Sequence, residues 1–335
     1  MILKTMNKLV SLVILNYNNN DYTMDCLKSL KKQTYKSFEV ILLDNGSKYD
    51  FYLELKKKIT HLEKDLKIIL IRTKLNLFFT GGNNKAIKIA NGEYICLLNN
   101  DTIVSPNFIE KMVEFFEVNL DAGMISPKIK VYKNKNFLWY AGAEINFRKA
   151  HIANLRGTWE RDPSDQRYDK ITATAYAAGT ALFLRKSLIE KIGLLDEVFF
   201  MYFEETDWNL RAKKYGYESY YVPTTIIYHK VTRNSNKKPS LLKHFFLNRN
   251  TQILIWKHAT FINLLVFYLK FILNNLKVIL IAFIQKKLYS VFLQLYSLWQ
   301  GFRIGIKRRS NRSCRKNLIK DYYFIKRIEK KLEFF

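Results

Sequence analysis

The sequence predicts an α/β protein with a mainly parallel central sheet, followed by a basic helical region. In the N-terminal part, short apolar segments rich in β-branched residues alternate with segments of helical spacing. Strands that alternate with helices favour βαβ units and therefore parallel strand pairing. Beyond about residue 240 the apolar residues follow helical spacing and the positive charge rises. We therefore divide the chain into residues 1–230, a polar linker at 231–240, and a tail at 241–335.

Composition limits the classes of protein that this chain can belong to. Its 335 residues are 48% hydrophobic and 15% aromatic, which is enough for a large core. The three cysteines, Cys26, Cys96 and Cys314, lie far apart and none is in a CxxC pair. This pattern argues against a disulfide framework or a zinc ribbon and favours a reducing compartment. The first apolar run ends in Asn16 and Tyr17 rather than in small residues, so we expect no signal peptide.

Four strands and three helices are predicted in the first hundred residues or so. The strands are Leu9–Leu15, Phe38–Leu43, Lys67–Ile71 and Tyr94–Leu98, and the helices are Asp21–Lys32, Phe51–His61 and Gly81–Ala90. In sheets of this kind, ligands bind beyond the carboxyl ends of the strands. Residues that follow these strands are therefore the first candidates for a binding site.

Polar clusters follow three of the four predicted strands. They read "NYNNN" from Asn16, "DNGS" from Asp44, and "NND" from Asn99 to Asp101. Each cluster alone is an ordinary turn signal. Three clusters at the same edge of one sheet are better explained by a ligand, and they suggest that the fourth strand presents Asp101 to a charged group.

Three acids at the start of a later helix are candidates for acid–base chemistry. Glu204, Glu205 and Asp207 follow the apolar run "VFFMYF", and Asp207 stands four residues before Arg211, within reach of an ion pair. Acids are common in the first helical turn for purely structural reasons. A carboxyl buried beside aromatic residues has a raised pKa, however, which suits a general base.

Two weaker signals concern a metal and a phosphate. His229 ends an apolar strand, where histidine is most often structural, but it becomes a metal ligand if Asp101 needs a second one. The segment "GGNNK", Gly81–Lys85, resembles a loop that lets backbone approach a phosphate at a helix N-terminus. It does not match the common nucleotide motifs GxGxxG or GxxxxGK[ST].

The tail has two competing interpretations. From residue 240 to 335 it carries 19 Lys and Arg against three acids, a net charge of +16, which leaves +11 for the rest. Its apolar run 253–284 is interrupted by Lys257, His258 and Lys270, so the longest uninterrupted stretch is too short for a span of about 20 residues. The helices either form a buried bundle or oligomer contact, or lie on an anionic membrane surface. In the second case the basic segment 302–316 attracts lipid, and aromatic residues lie at headgroup depth, namely Trp256, Tyr268, Tyr289, Tyr296 and Trp299.

Taken in order, these segments resemble the family 2 glycosyltransferases, most closely the rhamnosyltransferase-like branch. The resemblance rests on "VSLVILNYNNN…VILLDNGS", "NLFFTGGNNKAIKIANGEYICLLNNDT" and "YFEETDWNLRAKKYGY", and it covers about residues 9–230 plus "LNRN…WKH" near Arg249. Each segment is weak alone, whereas the ordered set is specific. The resemblance implies a GT-A fold with a mainly parallel central sheet, to which this chain adds a C-terminal amphipathic helical region.

The resemblance also implies roles for individual residues. Glu205 matches the general base, with Asp207 and Arg211 completing its motif, and Asp101 matches the last acid of the metal motif, with His229 as a further ligand of Mg²⁺ or Mn²⁺. The donor nucleotide is expected near the strand ends and the glycine segment, at Asn16, Tyr17, Asp44, Asn45, Gly81, Gly82, Asn83, Asn99 and Asn100. The acceptor side is expected at Ala178, Gly179, Thr180, Glu204 and Trp208.

Three departures from the family pattern stand out. The metal motif Asn99-Asn100-Asp101 holds one carboxylate where a full DxD has two. Phe78 and Ala86 occupy positions at which this branch often has glycine. Glu205, with its longer side chain, stands where the family usually has the second acid of an "ED" pair.

The function implied is an inverting transfer in cell-surface glycan synthesis. The donor is dTDP-rhamnose as a first expectation, or a UDP-hexose, and the acceptor is a lipid-linked glycan or polysaccharide. The protein is expected in the cytoplasm, peripheral on the inner face of the plasma membrane, either alone or as a homo-oligomer. One alternative is an inactive sugar-nucleotide-binding scaffold of the same fold. The other is a basic nucleic-acid-binding protein, which the absence of any RNA-binding signature disfavours, so we expect no nucleic acid partner.

Overall fold

The structure is a computed structural model that describes residues 8–149, 152–231, 241–284 and 288–309. The chain forms two compact units. The first unit comprises Met1–Glu144, Leu155–Phe200 and Glu204–Arg233, and the second comprises Ile145–Asn154, Met201–Phe203 and Asn234–Phe335. The predicted linker 231–240 lies outside the described residues except for its first residue, and so do Cys314 and the end of the basic segment, 310–316.

The strands of the described chain are β1 Val10–Asn16, β2 Phe38–Asp44, β3 Ile68–Arg72, β4 Tyr94–Leu98, β5 Thr102–Val104, β6 Ala122–Val131, β7 Leu138–Tyr140, β8 Ala143–Ile145, β9 Ala153–Leu155, β10 Thr172–Thr174, β11 Ala181–Arg185 and β12 Glu218–His229. A ten-stranded mixed sheet forms the centre of the first unit, in the order β10-β12-β6-β11-β4-β1-β2-β3. The strands β1 to β4 are parallel to one another, β12 is parallel to β6, and β11 runs antiparallel between β4 and β6. Two short strands join at the side, with β5 on β12 and β7 on β6, while β8 and β9 stand outside this sheet.

Six helices accompany the sheet in the described part of the first unit. They are α1 Asn20–Leu30, α2 Tyr49–Ile59, α3 Phe78–Ile87, α4 Phe108–Val118, α5 Lys186–Ile192 and α6 Glu204–Lys214. The four predicted strands are all confirmed, and Tyr94–Leu98 has the predicted bounds. The prediction that the third helix follows a glycine turn is wrong, because α3 begins at Phe78 and contains both Gly81 and Gly82.

One core cluster of this unit lies between the sheet and helices α3, α5 and α6. Val13, Ile41 and Leu97 contribute from neighbouring parallel strands, and Leu182 contributes from β11. Trp208 of α6 is completely buried in the same cluster. This packing holds the beginning of α6 close to the central strands, and the candidate glutamates lie at that helix end.

Three helices make up most of the described second unit, α7 Leu241–His258, α8 Phe261–Ile284 and α9 Leu288–Arg309. Two glycines of α9 allow close packing on α7, since a Cβ at Gly301 would lie 2.7 Å from the Gln252 Cβ and one at Gly305 2.7 Å from the Trp256 Cβ. Among the described residues, none of the helices is sufficiently long and apolar to cross a membrane.

A buried polar pair in α7 fixes the short segment Met201–Phe203. The side-chain amide of Asn250 donates hydrogen bonds to the carbonyls of Met201 and Tyr202, at 2.8 and 2.9 Å. Its own oxygen accepts a bond of 2.7 Å from Nη1 of Arg249. Both side chains are almost fully buried, so these bonds satisfy groups that water cannot reach.

Candidate functional site

Polar residues from the ends of β1, β2 and β4 are joined by one hydrogen-bond chain. Asn16 pairs in register with Asp44, and its amide donates to Asp44 Oδ1 over 3.4 Å. The hydroxyl of Thr23 donates to Asn16 Oδ1 at 2.8 Å and accepts from the Asn100 amide at 2.9 Å. The expectation that these clusters share one edge of the sheet is therefore confirmed.

Asp44 is fully buried and is paired with Arg72, a residue that the sequence analysis overlooked. Nε of Arg72 lies 3.2 Å from Asp44 Oδ2, and the guanidinium lies over the rings of Tyr49 and Tyr52, at 5.0 and 4.4 Å. Arg72 is the register partner of Asp44 at the end of β3. The sequence did contain a signal for Arg72. This residue directly follows the predicted strand Lys67–Ile71, the only one of the four predicted strands that no polar cluster follows.

The side chain of Asn45 is committed to the chain before α3. Its amide donates to Asn76 Oδ1 at 3.1 Å and to the Phe78 carbonyl at 3.0 Å, and its oxygen accepts from the backbone N–H of Leu77 at 2.9 Å. Asn45 therefore shapes the entry to α3, and this geometry gives it a positioning role.

The glycine segment lies within a helix and packs closely against the sheet. A Cβ on Gly82 would lie 2.9 Å from Leu15 Cδ1, whereas one on Gly81 would meet only the Leu77 Cβ at 3.1 Å. The Asn83 amide donates to the carbonyl of Phe79, one helical turn earlier, at 2.8 Å. For Gly82 and Asn83 the structure thus provides a packing reason beside the predicted donor contact.

Left-handed backbone occurs at both segments that lead to the site. Phe78 has φ 58°, and Phe200 has φ 60°. The two rings meet edge to face at 5.0 Å, and the Phe200 carbonyl accepts from the Thr80 N–H at 3.2 Å. Tyr202 and Phe203 are left-handed as well, at 69° and 71°. Such conformations are uncommon for bulky residues and concentrate at functional sites.

Asp101 and His229 lie side by side. His229 Nε2 is 3.1 Å from Asp101 Oδ1, without the alignment of a hydrogen bond, and this buried oxygen accepts no hydrogen bond from the described residues. The two segments are joined through the backbone, because Lys230 N–H donates to the Asp101 carbonyl at 2.8 Å. The described residues contain no cluster of three or more His, Cys, Asp and Glu that could hold a metal.

The predicted acceptor loop contacts both the metal motif and α6. The Thr180 carbonyl accepts from the Asn99 N–H at 3.0 Å. A Cβ on Gly179 would lie 3.8 Å from the Cβ of Glu205, so the loop passes directly beside this side chain. Asn209, another residue that the sequence analysis missed, connects the same elements. It accepts from Ala177 N–H at 3.0 Å and donates to the Glu205 carbonyl at 2.7 Å.

Burial raises the pKa of both glutamates at the start of α6. The pKa of Glu205 is above its ordinary value chiefly because of desolvation. The pKa of Glu204 is raised further, first by desolvation and then by the negative charge of Glu205. In each side chain Oε2 is buried and accepts no hydrogen bond from the described residues. The negative charge of Glu205 thus favours the protonated form of Glu204.

The other predicted residues of α6 have structural contacts. Arg211 Nε is 2.9 Å from Asp207 Oδ2, which confirms the expected ion pair, and Arg211 also donates to the Leu194 carbonyl at 2.8 Å. Trp208 was expected on the acceptor side, but it is fully buried and its indole N–H donates to the Gly193 carbonyl at 2.8 Å. The structure thus places Trp208 in the core, because its large apolar ring fills the space between α6 and the sheet.

Comparison with known sequences points to one family. The family model described as glycosyl transferase family 2 matches residues 11–193, more than half of the chain. The glycosyltransferase GlyG of Streptococcus pneumoniae is 25% identical over 195 residues, covering 56% of this chain and 60% of its own length. A protein of Escherichia coli named UDP-Glc:alpha-D-GlcNAc-diphosphoundecaprenol beta-1,3-glucosyltransferase WfaP is 34% identical over 110 residues, 33% of this chain and 42% of its own. The chain thus spans well under two thirds of these relatives.

Solved structures show the same fold. A mannosyltransferase from Pyrobaculum calidifontis, solved with GDP-Man and Mn²⁺, superposes with a TM-score of 0.52 over 92% of this chain and 77% of its own, at 15% identity. GalNAc-T7, solved with UDP, GalNAc and Mn²⁺, gives a TM-score of 0.55 over 73% of this chain and 51% of its own, at 17% identity. The expected GT-A fold is confirmed. The ordered motifs, their position at one edge of this sheet and the family match together show that the chain belongs to glycosyl transferase family 2.

Proposed function

We propose that this chain transfers a sugar from a nucleotide-sugar donor to an acceptor hydroxyl with inversion at the anomeric carbon. The observation that carries the proposal is the continuity of the site, in which Asn99 of the metal motif bonds to Thr180 and the adjoining Gly179 lies against Glu205. Donor and acceptor elements therefore meet at the carboxylate of Glu205, which is partly exposed while its Oε2 is buried. A carboxylate with a raised pKa is suited to removing a proton from an acceptor hydroxyl.

In this proposal Glu205 is the general base. It takes the proton of the acceptor hydroxyl as the hydroxyl oxygen forms its bond to the anomeric carbon. The bond between that carbon and the nucleotide diphosphate breaks on the opposite face, so one displacement inverts the configuration. Asp207 and Arg211 act by holding α6 in place, since their ion pair is tied to the carbonyl of Leu194. Asp44 and Arg72 line the edge at which the nucleotide base is expected.

The residues at the end of β12 and directly before β5 fit a divalent cation. Oδ1 of Asp101 is a buried carboxylate oxygen that accepts no hydrogen bond from the described residues, and the His229 imidazole nitrogen is beside it. Mg²⁺ and Mn²⁺ bind carboxylate oxygen, and Mn²⁺ accepts imidazole as well. When bound, such an ion offsets negative charge on a leaving diphosphate. Asp101 and His229 are the residues that would hold it. His229 would thus add a second ligand to the single carboxylate of the motif Asn99-Asn100-Asp101.

The donor and acceptor are inferred from the relatives. The family resemblance favours dTDP-rhamnose, whereas the name of the E. coli relative WfaP favours a UDP-hexose and a sugar linked to diphosphoundecaprenol. Both agree with an acceptor in lipid-linked or polysaccharide glycan synthesis. We propose a nucleotide-sugar transferase acting on such an acceptor, in the cytoplasm at the inner face of the membrane.

A screen of nucleotide sugars tests the proposal. The purified chain is incubated with dTDP-rhamnose, UDP-glucose, UDP-galactose and UDP-N-acetylhexosamines, with Mn²⁺ or Mg²⁺ and with EDTA, and release of the nucleotide diphosphate is measured. Release from one donor with the metal, stimulated by a lipid-diphosphate sugar acceptor, supports the proposal. Binding of a donor without any turnover would instead indicate an inactive sugar-nucleotide-binding scaffold.

A further inference from the structure

The outer face of α9 carries a row of exposed apolar side chains. Phe292, Leu295, Trp299, Phe302 and Ile306 are 53, 49, 55, 43 and 40% exposed, and they are spaced alternately three and four residues apart. This spacing places all five on one side of a helix. We name these five residues the α9 face. Soluble proteins seldom leave such a continuous apolar strip open to water unless it meets a partner.

The opposite side of α9 is already used for packing. Leu293, Ser297, Gln300 and Ile304 follow the same spacing, offset by one or two positions, and all are buried. Gly301 and Gly305 lie on this inner side and allow contact with α7. Most of the α9 face is therefore separate from the surface that holds the second unit together. Phe302, at its edge, also contacts α7 and α8, where its ring meets those of Trp256 at 5.3 Å and Tyr268 at 6.4 Å.

The residues around the α9 face are positively charged, which favours an anionic partner. Arg303 lies over the Trp299 ring at 4.9 Å, Lys307 follows Ile306 directly, and Arg308 and Arg309 end the helix. Residues 241–309 contain no Asp or Glu. A second copy of the same surface would therefore bring like charges together, which disfavours self-association. An anionic lipid surface accepts the apolar side chains and attracts the cations.

A second exposed strip has the same character. On α8, Phe261, Leu265, Leu269 and Leu273 recur every fourth residue and are 75, 56, 59 and 63% exposed, with Lys270 exposed beside them. On the inner side of that helix Leu264 and Phe267 are buried. Two helices of one unit thus each present an apolar strip, and neither helix contains an acid.

From these observations we propose that the α9 face binds an anionic membrane surface, lying in the interface rather than crossing the bilayer. Trp299 is the aromatic residue placed at headgroup depth. Trp256 and Tyr268 were also predicted at headgroup depth, but in the structure they hydrogen-bond to each other at 2.6 Å within the unit. Side-chain contacts of Tyr289 fall outside what the structure describes. This surface is independent of the catalytic proposal, because it uses no residue of the candidate site.

Vesicle flotation with the full chain tests the proposal. The probe is a vesicle of phosphatidylglycerol mixed with phosphatidylcholine, compared with phosphatidylcholine alone. We expect binding to the anionic vesicle only. The triple variant Leu295→Ser, Trp299→Ser, Ile306→Ser, which leaves the contact of Phe302 with Trp256 intact, should weaken it by about 100-fold or more. The pair Arg303→Gln, Lys307→Gln should weaken it by about 30-fold, since each charge contributes roughly fivefold.

A matched control removes equally exposed apolar residues from the first unit. Val118 and Leu120 are 79 and 75% exposed, and the variant Val118→Ser, Leu120→Ser should bind vesicles like the wild type. Melting temperature and donor binding establish that each variant is folded. Wild-type Trp fluorescence should shift to the blue on binding, and Trp299→Phe should remove the shift.

Three results would overturn the proposal. The first is an absence of binding by the folded wild type to anionic vesicles. The second is a stable dimer that the triple variant converts to monomer, which would make the α9 face a contact between copies. The third is tight RNA binding that competes with vesicles and depends on the apolar residues of this face.

Discussion

The imidazole Nε2 of His229 lies 3.1 Å from the carboxylate Oδ1 of Asp101, although Asp101 directly precedes β5 and His229 ends β12, far apart in the chain. The pairing of β12 with β5 brings them together, since His229 is in register with Thr102, the residue after Asp101. A motif that holds only one carboxylate thereby gains a second potential ligand from a distant strand. His229 also meets the Trp139 ring edge to face at 5.5 Å, which restricts how the imidazole can turn.

The first prediction concerns this pair. Asp101→Asn keeps the size of the side chain and removes its charge, and we expect transfer to fall by about 100-fold or more with loss of Mn²⁺ binding. His229→Gln should weaken Mn²⁺ by about 10- to 100-fold while leaving some activity at high metal. Isothermal titration with Mn²⁺ and the assay with and without EDTA provide the two readouts. Undiminished turnover of the wild type in EDTA would contradict the metal role of both residues.

The second prediction separates the base from the residues that hold it. Glu205→Gln should lower turnover by about 100-fold or more with donor binding retained, because the shape remains and the basicity is lost. Asp207→Asn should act mainly on stability, costing about 3–5 kcal/mol, since Arg211 loses its buried partner. Melting temperature and turnover are measured for both. If Glu205→Gln is active and a folded Asp207→Asn is not, the base is assigned to the wrong acid.

The third prediction concerns Glu204 and pH. A carboxyl with a raised pKa in the folded state binds its proton more tightly there than in the unfolded chain. The folded state is therefore favoured at low pH, and this advantage is lost as the pH rises from the ordinary glutamate value through the raised one. Glu204→Gln resembles the protonated acid, so the variant should be more stable than the wild type at about pH 8 and no more stable at about pH 4.

The same variant also tests the order of titration. The Glu205 charge favours the protonated form of Glu204, so we expect a neutral glutamine at 204 to leave the pH–activity profile almost unchanged. The complementary change Glu205→Gln should lower the pKa of Glu204, which carboxyl NMR chemical shifts would detect. A large acid shift of the activity profile in Glu204→Gln would show that Glu204 carries charge during turnover.

The fourth prediction distinguishes packing from donor contact at the glycines of α3. Gly82→Ala places a methyl group 2.9 Å from Leu15 Cδ1 and should cost about 1–3 kcal/mol of stability. Gly81→Ala meets only the Leu77 Cβ at 3.1 Å and gains helix propensity, so its effect on stability should be small. Denaturant unfolding compares the two. Loss of donor affinity in a stable Gly81→Ala protein would show that this face of α3 touches the donor.

Local pattern was sufficient for the first four strands and for the edge at which their polar residues gather. Apolar runs of period-two or fully buried type define β1 to β4, and parallel pairing puts Asn16, Asp44 and Asn100 at one edge whatever the details of the helices. The Asp207–Arg211 pair was predictable for the same reason, since both residues lie four apart on one helix. Such features depend on the spacing of residues that are close in the sequence, so they can be predicted without the tertiary structure.

Tertiary packing decided the rest. The pairing of Asp101 with His229, of Asp44 with Arg72, and of Gly179 with Glu205 depends on strand order, and no local spacing encodes strand order. Trp208 lies in the core, and Gly82 lies at a contact between α3 and the sheet. Side-chain volume, rather than position in a motif, determines which residues fill the interior. The tail is similar in this respect. The apolar and basic character of its helices follows from composition alone. Packing explains why Trp256 and Tyr268 are partly buried and hydrogen-bonded to each other while Trp299 is exposed, since each helix must bury one face and leaves the other to its surroundings.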